Sequence, residues 1–149
     1  MSFNICIVKN PAWEWTEENP VSNLDETQGD HHLNLDFDGT DFNELHNFLD
    51  IKLPPTKQMD GESYVDYENR IKNEYLNAAK EKGYEMLGRI WYWYESVSYF
   101  PSEINQLLDE CLRFKEKAQN SAQLAASEKL ITACNEALKI SSGIFLASD

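Results

Sequence analysis

The hydrophobic residues of this chain follow two different periods, and the change between them near residue 60 constrains the fold more than any other feature does. Phe3, Ile5 and Ile7 alternate with other side chains, which predicts an N-terminal strand. The same alternation over residues 33–37 predicts a second, short strand. From residue 62 to residue 82 the apolar side chains recur every three or four residues, which predicts a long amphipathic helix.

The helical period continues through most of the second half of the chain. Pro101 favours the first turn of a helix, and a further helix follows a break at residues 120–121. After Gly143, the apolar residues 144–146 predict a third short strand. Residues 84–99 fit two structures, because their apolar spacing favours a helix while their aromatic run has high strand propensity. We predict a helix there, with a strand over residues 89–100 as the alternative.

The predicted strands lie close to the two ends of the chain, and this placement suggests how they pair. A small sheet made from the N-terminal strands and the C-terminal strand brings the two termini together. We therefore predict an α+β fold in which four or five helices pack against this sheet. A length of 149 residues fits a single domain, which we place at residues 1–149.

The charge of the chain is strongly negative and unevenly distributed. The formal net charge is -13, and residues 1–60 contain twelve acids against three lysines. No Lys or Arg occurs between Lys9 and Lys52. Such a stretch repels phosphate groups, so we expect neither nucleic-acid binding nor attachment to an anionic membrane, and a basic protein partner or a cation is attracted instead. The alternative is that the acidity only keeps the protein soluble. No apolar run approaches the roughly eighteen residues of a membrane span, and we expect a cytoplasmic protein.

Residues 33–40 read Leu-Asn-Leu-Asp-Phe-Asp-Gly-Thr, a strand that ends in Asp-x-Asp-Gly-Thr. This motif resembles the first signature of haloacid-dehalogenase-type phosphatases. The resemblance implies that Asp36 attacks phosphorus, that Asp38 protonates the leaving group and that Mg²⁺ screens the charge. That fold needs further parallel strands, which the sequence after residue 60 does not predict. Local chemistry fully explains the motif as a strand, a turn and a helix start, at which Asp41 and Glu44 resemble a capping box, and this is the interpretation that we favour. A metal-dependent phosphohydrolase is therefore the alternative function.

The remaining candidates for metal binding or catalysis form less specific motifs. His31 and His32, with nearby carboxylates, offer ligands for Zn²⁺ or Mn²⁺, but adjacent residues in a strand point to opposite faces. We predict no metal site, no cofactor and no catalytic residue. The three cysteines each lie on an apolar face and are predicted to be buried free thiols, namely Cys6, Cys111 and Cys134.

The aromatic run at residues 91–94 cannot be buried completely by a single helix. We predict that Trp91 and Tyr94 pack in the core and that Tyr92 or Trp93 is available for a contact at the surface. Stacking on nucleic-acid bases is not expected, because Arg89 is the only basic residue close to the run.

The C-terminal half resembles a known class of proteins in a general way. The segments at residues 86–91, 99–112 and 137–149 resemble those of small acidic bacterial proteins of uncharacterised function, some of which are immunity proteins that neutralise a cognate toxin. This resemblance implies a bacterial cytoplasmic binding protein. Its motifs are core and capping patterns, so it assigns no functional residue.

The candidate binding surface lies mainly in the long segment from residue 11 to residue 30, which lacks any period. Long loops of this kind are often functional, and tryptophan among carboxylates is a composition typical of protein contacts. Alternatively, the two indoles only hold this loop against the helices. We predict a non-enzymatic acidic protein-binding domain, of immunity-protein type, that binds a basic partner. Its candidate surface residues are Trp13, Trp15, Glu17, Glu18, Asp25, Glu26, Asp30 and Trp93.

Overall fold

The computed structural model of this chain describes residues 2–8, 33, 35–54 and 56–148. Four strands and four α-helices alternate irregularly along these residues. In chain order they are β1 (Ser2–Val8), β2 (Leu35–Asp38), α1 (Gly39–Leu49), α2 (Tyr64–Glu81), β3 (Val97–Tyr99), α3 (Ile104–Glu116), α4 (Ser121–Lys139) and β4 (Gly143–Ser148). Two short 3₁₀ turns, Leu87–Arg89 and Pro101–Glu103, flank β3.

The strands form one antiparallel sheet in the order β2-β1-β4-β3. The two termini are therefore neighbours at its centre, where Ile5 of β1 lies opposite Leu146 of β4. This confirms the predicted α+β class and the predicted pairing of the N-terminal and C-terminal strands. Phe3, Ile5 and Ile7 are fully buried, as their alternation requires.

The core forms where one face of the sheet meets the helices. Small residues of α4, such as Ala133 and Ala137, are fully buried there and leave room for larger side chains such as Phe114 of α3. The opposite face of the sheet carries a smaller buried cluster, made of Cys6, Val8 and Phe145. All three cysteines are buried thiols outside any disulfide, which confirms the prediction made for them.

The helix that follows β2 begins one turn earlier than the sequence predicts. Asp38 is its N-cap, since its side chain accepts a hydrogen bond from the backbone N–H of Asp41 at 3.0 Å. The Asp41 carboxylate accepts in return from the backbone N–H of Asp38 at 2.9 Å. The capping box predicted at Asp41 and Glu44 is therefore wrong, because Asp38 is extended and α1 already starts at Gly39.

Residues 84–99 do not form the helix that their spacing predicts. They contain the Leu87–Arg89 turn, an irregular segment and β3, the fourth strand of the sheet, which lies within the range 89–100 where a strand is the alternative prediction. Contacts from distant parts of the chain override the local period. The Glu110 carboxylate of α3 accepts hydrogen bonds from the backbone N–H groups of Met86 and Leu87, and the Tyr99 hydroxyl donates to the Met86 carbonyl at 2.6 Å.

Gly88 allows the 3₁₀ turn to pack directly against α2. A Cβ atom at residue 88 would lie 2.4 Å from the Cβ of Ala79. We expect Gly88→Ala to reduce the free energy of unfolding by about 1–3 kcal/mol, because two packed backbones must separate. Chemical denaturation measures this loss.

A double-mutant cycle separates this clash from a general effect on the turn. Ala79→Gly removes the atom that the new methyl group meets, so the combined Gly88→Ala/Ala79→Gly variant should lose less stability than the two single variants lose together. Strictly additive losses would contradict the close approach of these two residues.

Candidate functional site

A cleft with exposed aromatic walls lies between α2 and the irregular segment before β3. It has a volume of about 220 Å³, and we call it the tyrosine cleft. Its lining residues are Glu68, Asn69, Lys72, Trp91, Tyr92, Tyr94 and Glu95. A second depression, of about 280 Å³, continues along β3 beyond the ion pair of Lys72 with Glu95.

Two tyrosines form the open wall of the tyrosine cleft. Tyr94 is 61% exposed and Tyr92 is 38% exposed, and their ring centroids lie 5.6 Å apart at an angle of 69°. Trp91, which is half-buried, lies on the other side of Tyr92 with its ring centroid at 5.1 Å. The prediction that Tyr94 packs in the core is therefore wrong, because the segment is not helical. Neighbouring aromatic rings that remain exposed are typical of contact surfaces.

Glu95 connects the two walls of the cleft. One of its carboxylate oxygens accepts a hydrogen bond from the Trp91 indole N–H at 3.0 Å, and the other pairs with the Lys72 ammonium group of α2. The charges of Lys72 and Glu95 thus neutralise each other. The pair with Lys72 joins α2 to the aromatic segment, and the hydrogen bond from Trp91 closes a loop within that segment.

His46 of α1 fixes the start of the aromatic segment. Its Nε2 lies 2.8 Å from the Ile90 carbonyl oxygen, and its Nδ1 lies 3.0 Å from the Tyr75 hydroxyl oxygen of α2. The Ile90 carbonyl can only accept, so Nε2–H donates to it, and in the neutral ring Nδ1 then accepts from the Tyr75 hydroxyl. Burial, opposed by the hydrogen bond to Ile90, lowers the pKa of His46 below its ordinary value.

The lowered pKa of His46 makes stability depend on pH. Its folded-state pKa lies below the ordinary value of about 6.5, so the stabilising effect is complete above that pH and is lost as the pH falls. We expect the stability advantage of the wild type over His46→Gln to shrink between pH 8 and pH 5, by at most about 1.4 kcal/mol per pH unit. Urea denaturation across this range measures it. An advantage that stays constant would contradict a buried neutral imidazole.

The candidate surface residue Trp93 is half-buried against the core. Its ring meets Phe3 edge-on at 5.5 Å and Phe42 at 4.7 Å. It also lines a shallow depression of about 420 Å³ with Gly39, Phe42 and Asn43. The other candidates lie outside the described residues, as do His31 and His32. They are Trp13, Trp15, Glu17, Glu18, Asp25, Glu26 and Asp30.

Asp36 and Asp38 are exposed at the end of β2, and Asp38 already has a structural role as the cap of α1. The hydrogen bond from the Asp41 backbone is the largest influence on its carboxyl group and lowers the pKa of Asp38. A lowered pKa favours the ionised form, whereas protonating a leaving group requires the acid form.

The strand pairs of the described residues are all antiparallel, unlike the parallel sheet that the phosphatase resemblance implies. Within the described ranges, no group of three or more His, Cys, Asp or Glu side chains could hold a metal ion.

Both edge strands of the sheet have a carbonyl group that a basic side chain occupies. Lys129 donates to the Asp36 carbonyl of β2 at 3.0 Å, and Arg89 donates to the Ser98 carbonyl of β3 at 3.2 Å. Basic side chains at an edge hinder the addition of a strand from another protein. These contacts therefore disfavour extension of the sheet at its two edge strands.

Sequence reasoning pointed to the aromatic run but did not find the cleft. The exposed side chains, Tyr92 and Tyr94, belong to that run, whereas Glu68 comes from α2. The only available signal for Glu68 was its place in the predicted amphipathic helix over residues 62–82. That signal does not show which segment the helix faces.

Comparisons with known proteins were made at three levels. No protein-family model, no curated protein and no solved structure matches this chain. Over the residues that the structure describes, none of the helices is both long enough and apolar enough to cross a membrane.

Proposed function

We propose that this chain is a non-enzymatic, acidic protein-binding domain of immunity-protein type that inhibits a basic partner protein. The observation that carries the proposal is the tyrosine cleft, where exposed aromatic rings stand beside carboxylates on a rigid scaffold. Tyrosine supplies a large contact area at a low cost in conformational entropy, which makes it frequent at the centres of interfaces.

The net charge of -13 supports the basic character of the partner. From Glu14 to Asp50 the sequence contains eleven acids and no Lys or Arg, so this part of the chain attracts cationic surfaces. Attraction between opposite charges accelerates the first encounter of two proteins, while buried contacts of aromatic side chains slow their separation. The acidic segment and the tyrosine cleft therefore have complementary roles in the proposed interaction.

The experiment that tests this function is capture of the partner on the immobilised full-length protein, followed by a titration with the purified partner. We expect a basic protein that is retained at low ionic strength and released at high ionic strength. Reversing two charges of the acidic segment, with Glu17→Lys and Glu18→Lys, should weaken binding. The matched control is Glu17→Gln with Glu18→Gln, which removes the same charges without reversing them and should have an intermediate effect.

Two outcomes would overturn the proposal. The first is a purified partner whose affinity is the same for the wild type and for both pairs of variants. The second is Mg²⁺-dependent hydrolysis of a phosphate ester by the wild type that is lost in Asp36→Asn, because the chain would then be an enzyme.

A further inference from the structure

We infer that the tyrosine cleft binds an arginine side chain, which the basic partner supplies. This inference rests on the proposed function, since it names the group that the partner presents. The evidence is an arrangement that recurs within this fold, in which an arginine lies over a tyrosine ring and binds a carboxylate. The tyrosine cleft contains the ring and the carboxylate but no arginine.

Every arginine of this chain lies over a tyrosine ring and also binds a carboxylate. The guanidinium carbon lies 4.8–5.5 Å from the ring centroid in the three cases. The three sets are Tyr67 with Arg70 and Glu62, Tyr99 with Arg89 and Glu103, and Tyr84 with Arg113 and Asp109. A tyrosine face together with a carboxylate is thus the arginine-binding arrangement of this protein.

The tyrosine cleft presents the same arrangement without the arginine. Tyr92 and Tyr94 supply the exposed rings, and Glu68 supplies the carboxylate. Within the described part of the chain, Glu68 makes no hydrogen bond and no ion pair. Glu68 and Tyr92 line the same cleft, and burial, and then the charge of Glu68, raise the pKa of Tyr92. An incoming cation therefore meets an aromatic face and an unpaired anion together.

Lys72 does not fill this place, although it lines the cleft. Its ammonium group pairs with Glu95, which also accepts from the Trp91 indole N–H. Glu95 is therefore already engaged, while Glu68 is available to the ligand. The neutralised pair of Lys72 with Glu95 leaves the cleft with the net negative charge of Glu68.

The geometry favours arginine over lysine as the ligand. A guanidinium group is planar, so it can stack on a tyrosine ring and present its N–H groups to a carboxylate at the same time. An ammonium group is more strongly hydrated and loses more on leaving water. All three internal examples use arginine, although the chain contains many more lysines than arginines.

The test is a titration of the ¹⁵N-labelled full-length protein with N-acetyl-arginine amide, followed by nuclear magnetic resonance. We expect saturable shifts of the Trp91 indole N–H and of the Tyr92 and Tyr94 amides. N-acetyl-citrulline amide has nearly the same shape but no charge, and it should bind at least about tenfold more weakly, which corresponds to about 1.4 kcal/mol. N-acetyl-lysine amide, with a free side-chain ammonium group, should bind several-fold more weakly than arginine.

Variants identify the groups that hold the ligand. Glu68→Gln and Tyr94→Leu should each weaken arginine binding several-fold, and both should keep the wild-type melting temperature because Tyr94 is exposed and Glu68 has no hydrogen bond or ion pair with another described residue. The control is Leu112→Ala, an exposed apolar residue of α3, which should leave arginine binding unchanged. Equal binding of citrulline, equal binding of lysine, shifts located outside the cleft, or full binding in Glu68→Gln would each overturn the inference.

Failure of this inference can be distinguished from failure of the proposed function. If Glu68→Gln and Tyr94→Leu bind the purified partner as tightly as the wild type does, the arginine site is wrong while the protein-binding function stands. If the wild type binds arginine amide in the cleft but shows Mg²⁺-dependent hydrolysis that requires Asp36, the arginine site stands and the proposed function is wrong.

Discussion

Removal of residues 143–149 is expected to abolish cooperative unfolding of the domain. These residues include β4, which lies between β1 and β3 and pairs with both. Its side chains Ile144, Phe145 and Leu146 are at most 2% exposed. Burial of three such side chains contributes about 5–9 kcal/mol in total, which is comparable with the whole stability of a typical domain.

Thermal unfolding followed by circular dichroism measures this effect. The truncated chain should show no sharp transition, because β3 loses its strand partner and the apolar side chains of β1 become exposed. Removal of Asp149 alone is the matched control and should leave the melting curve unchanged. A chain without residues 143–149 that melts like the full-length protein would contradict the central position of β4.

Glu110→Ala is expected to cause the largest loss of stability among single substitutions of polar residues described above. The Glu110 carboxylate is 1% exposed and accepts hydrogen bonds from the backbone N–H groups of Met86 and Leu87 at 2.9 and 3.0 Å. Alanine leaves both buried N–H groups without an acceptor, at a cost of about 1–3 kcal/mol each. Chemical denaturation should therefore show a loss of about 2–6 kcal/mol.

Glu110→Gln provides the matched control, since it keeps the shape and one acceptor oxygen but removes the charge. Burial raises the pKa of Glu110, although the hydrogen bonds from Leu87, Met86 and Gln106 act in the opposite direction. A raised folded-state pKa means that the contribution of Glu110 is largest at low pH and declines as the pH rises through that pKa. The wild type should therefore lose stability relative to Glu110→Gln as the pH rises above about 4.5. A Glu110→Ala variant as stable as Glu110→Gln at any pH would show that the two N–H groups find other acceptors.

The sequence predicts β1 and α2 correctly because the hydrophobic period of each reflects the side chains that it buries. The alternation of Phe3, Ile5 and Ile7 is sufficient for β1, because only one register buries all three side chains. The helix predicted at residues 62–82 corresponds to α2, although its exposed residues, such as Tyr64, show that it packs only along part of its length. The hydrophobic period of a segment reflects which of its side chains are buried. It therefore identifies a strand or helix even when the elements that pack against it are unknown.

Residues 84–99 show where such reasoning fails. Their conformation depends on Glu110, which lies 24 residues beyond Met86 in sequence, and on the close approach of Gly88 to Ala79. Neither contact affects the spacing of the hydrophobic residues within this segment, so that spacing does not predict them. The helical prediction then put Tyr94 on the buried side, and it missed β3 for the same reason.

The candidate site was predictable only in part, again for physical reasons. The sequence shows that four consecutive aromatic residues cannot all be buried, and Tyr92 and Tyr94 are the exposed ones. Glu68 and Lys72 enter the site through the packing of α2 on the aromatic segment, a tertiary contact. The acidic candidates between Trp13 and Asp30 lie outside the described residues, so their part in binding stays a prediction from charge and composition.

The ionic-strength dependence of the affinity for the purified partner tests the central claim most directly. Isothermal titration calorimetry of the wild type, repeated over a series of salt concentrations, gives the dissociation constant at each one. We expect Kd to rise steadily with salt, because a chain of net charge -13 meets a basic surface. A Kd that does not change from low to high salt would contradict recognition of a basic partner by this acidic domain.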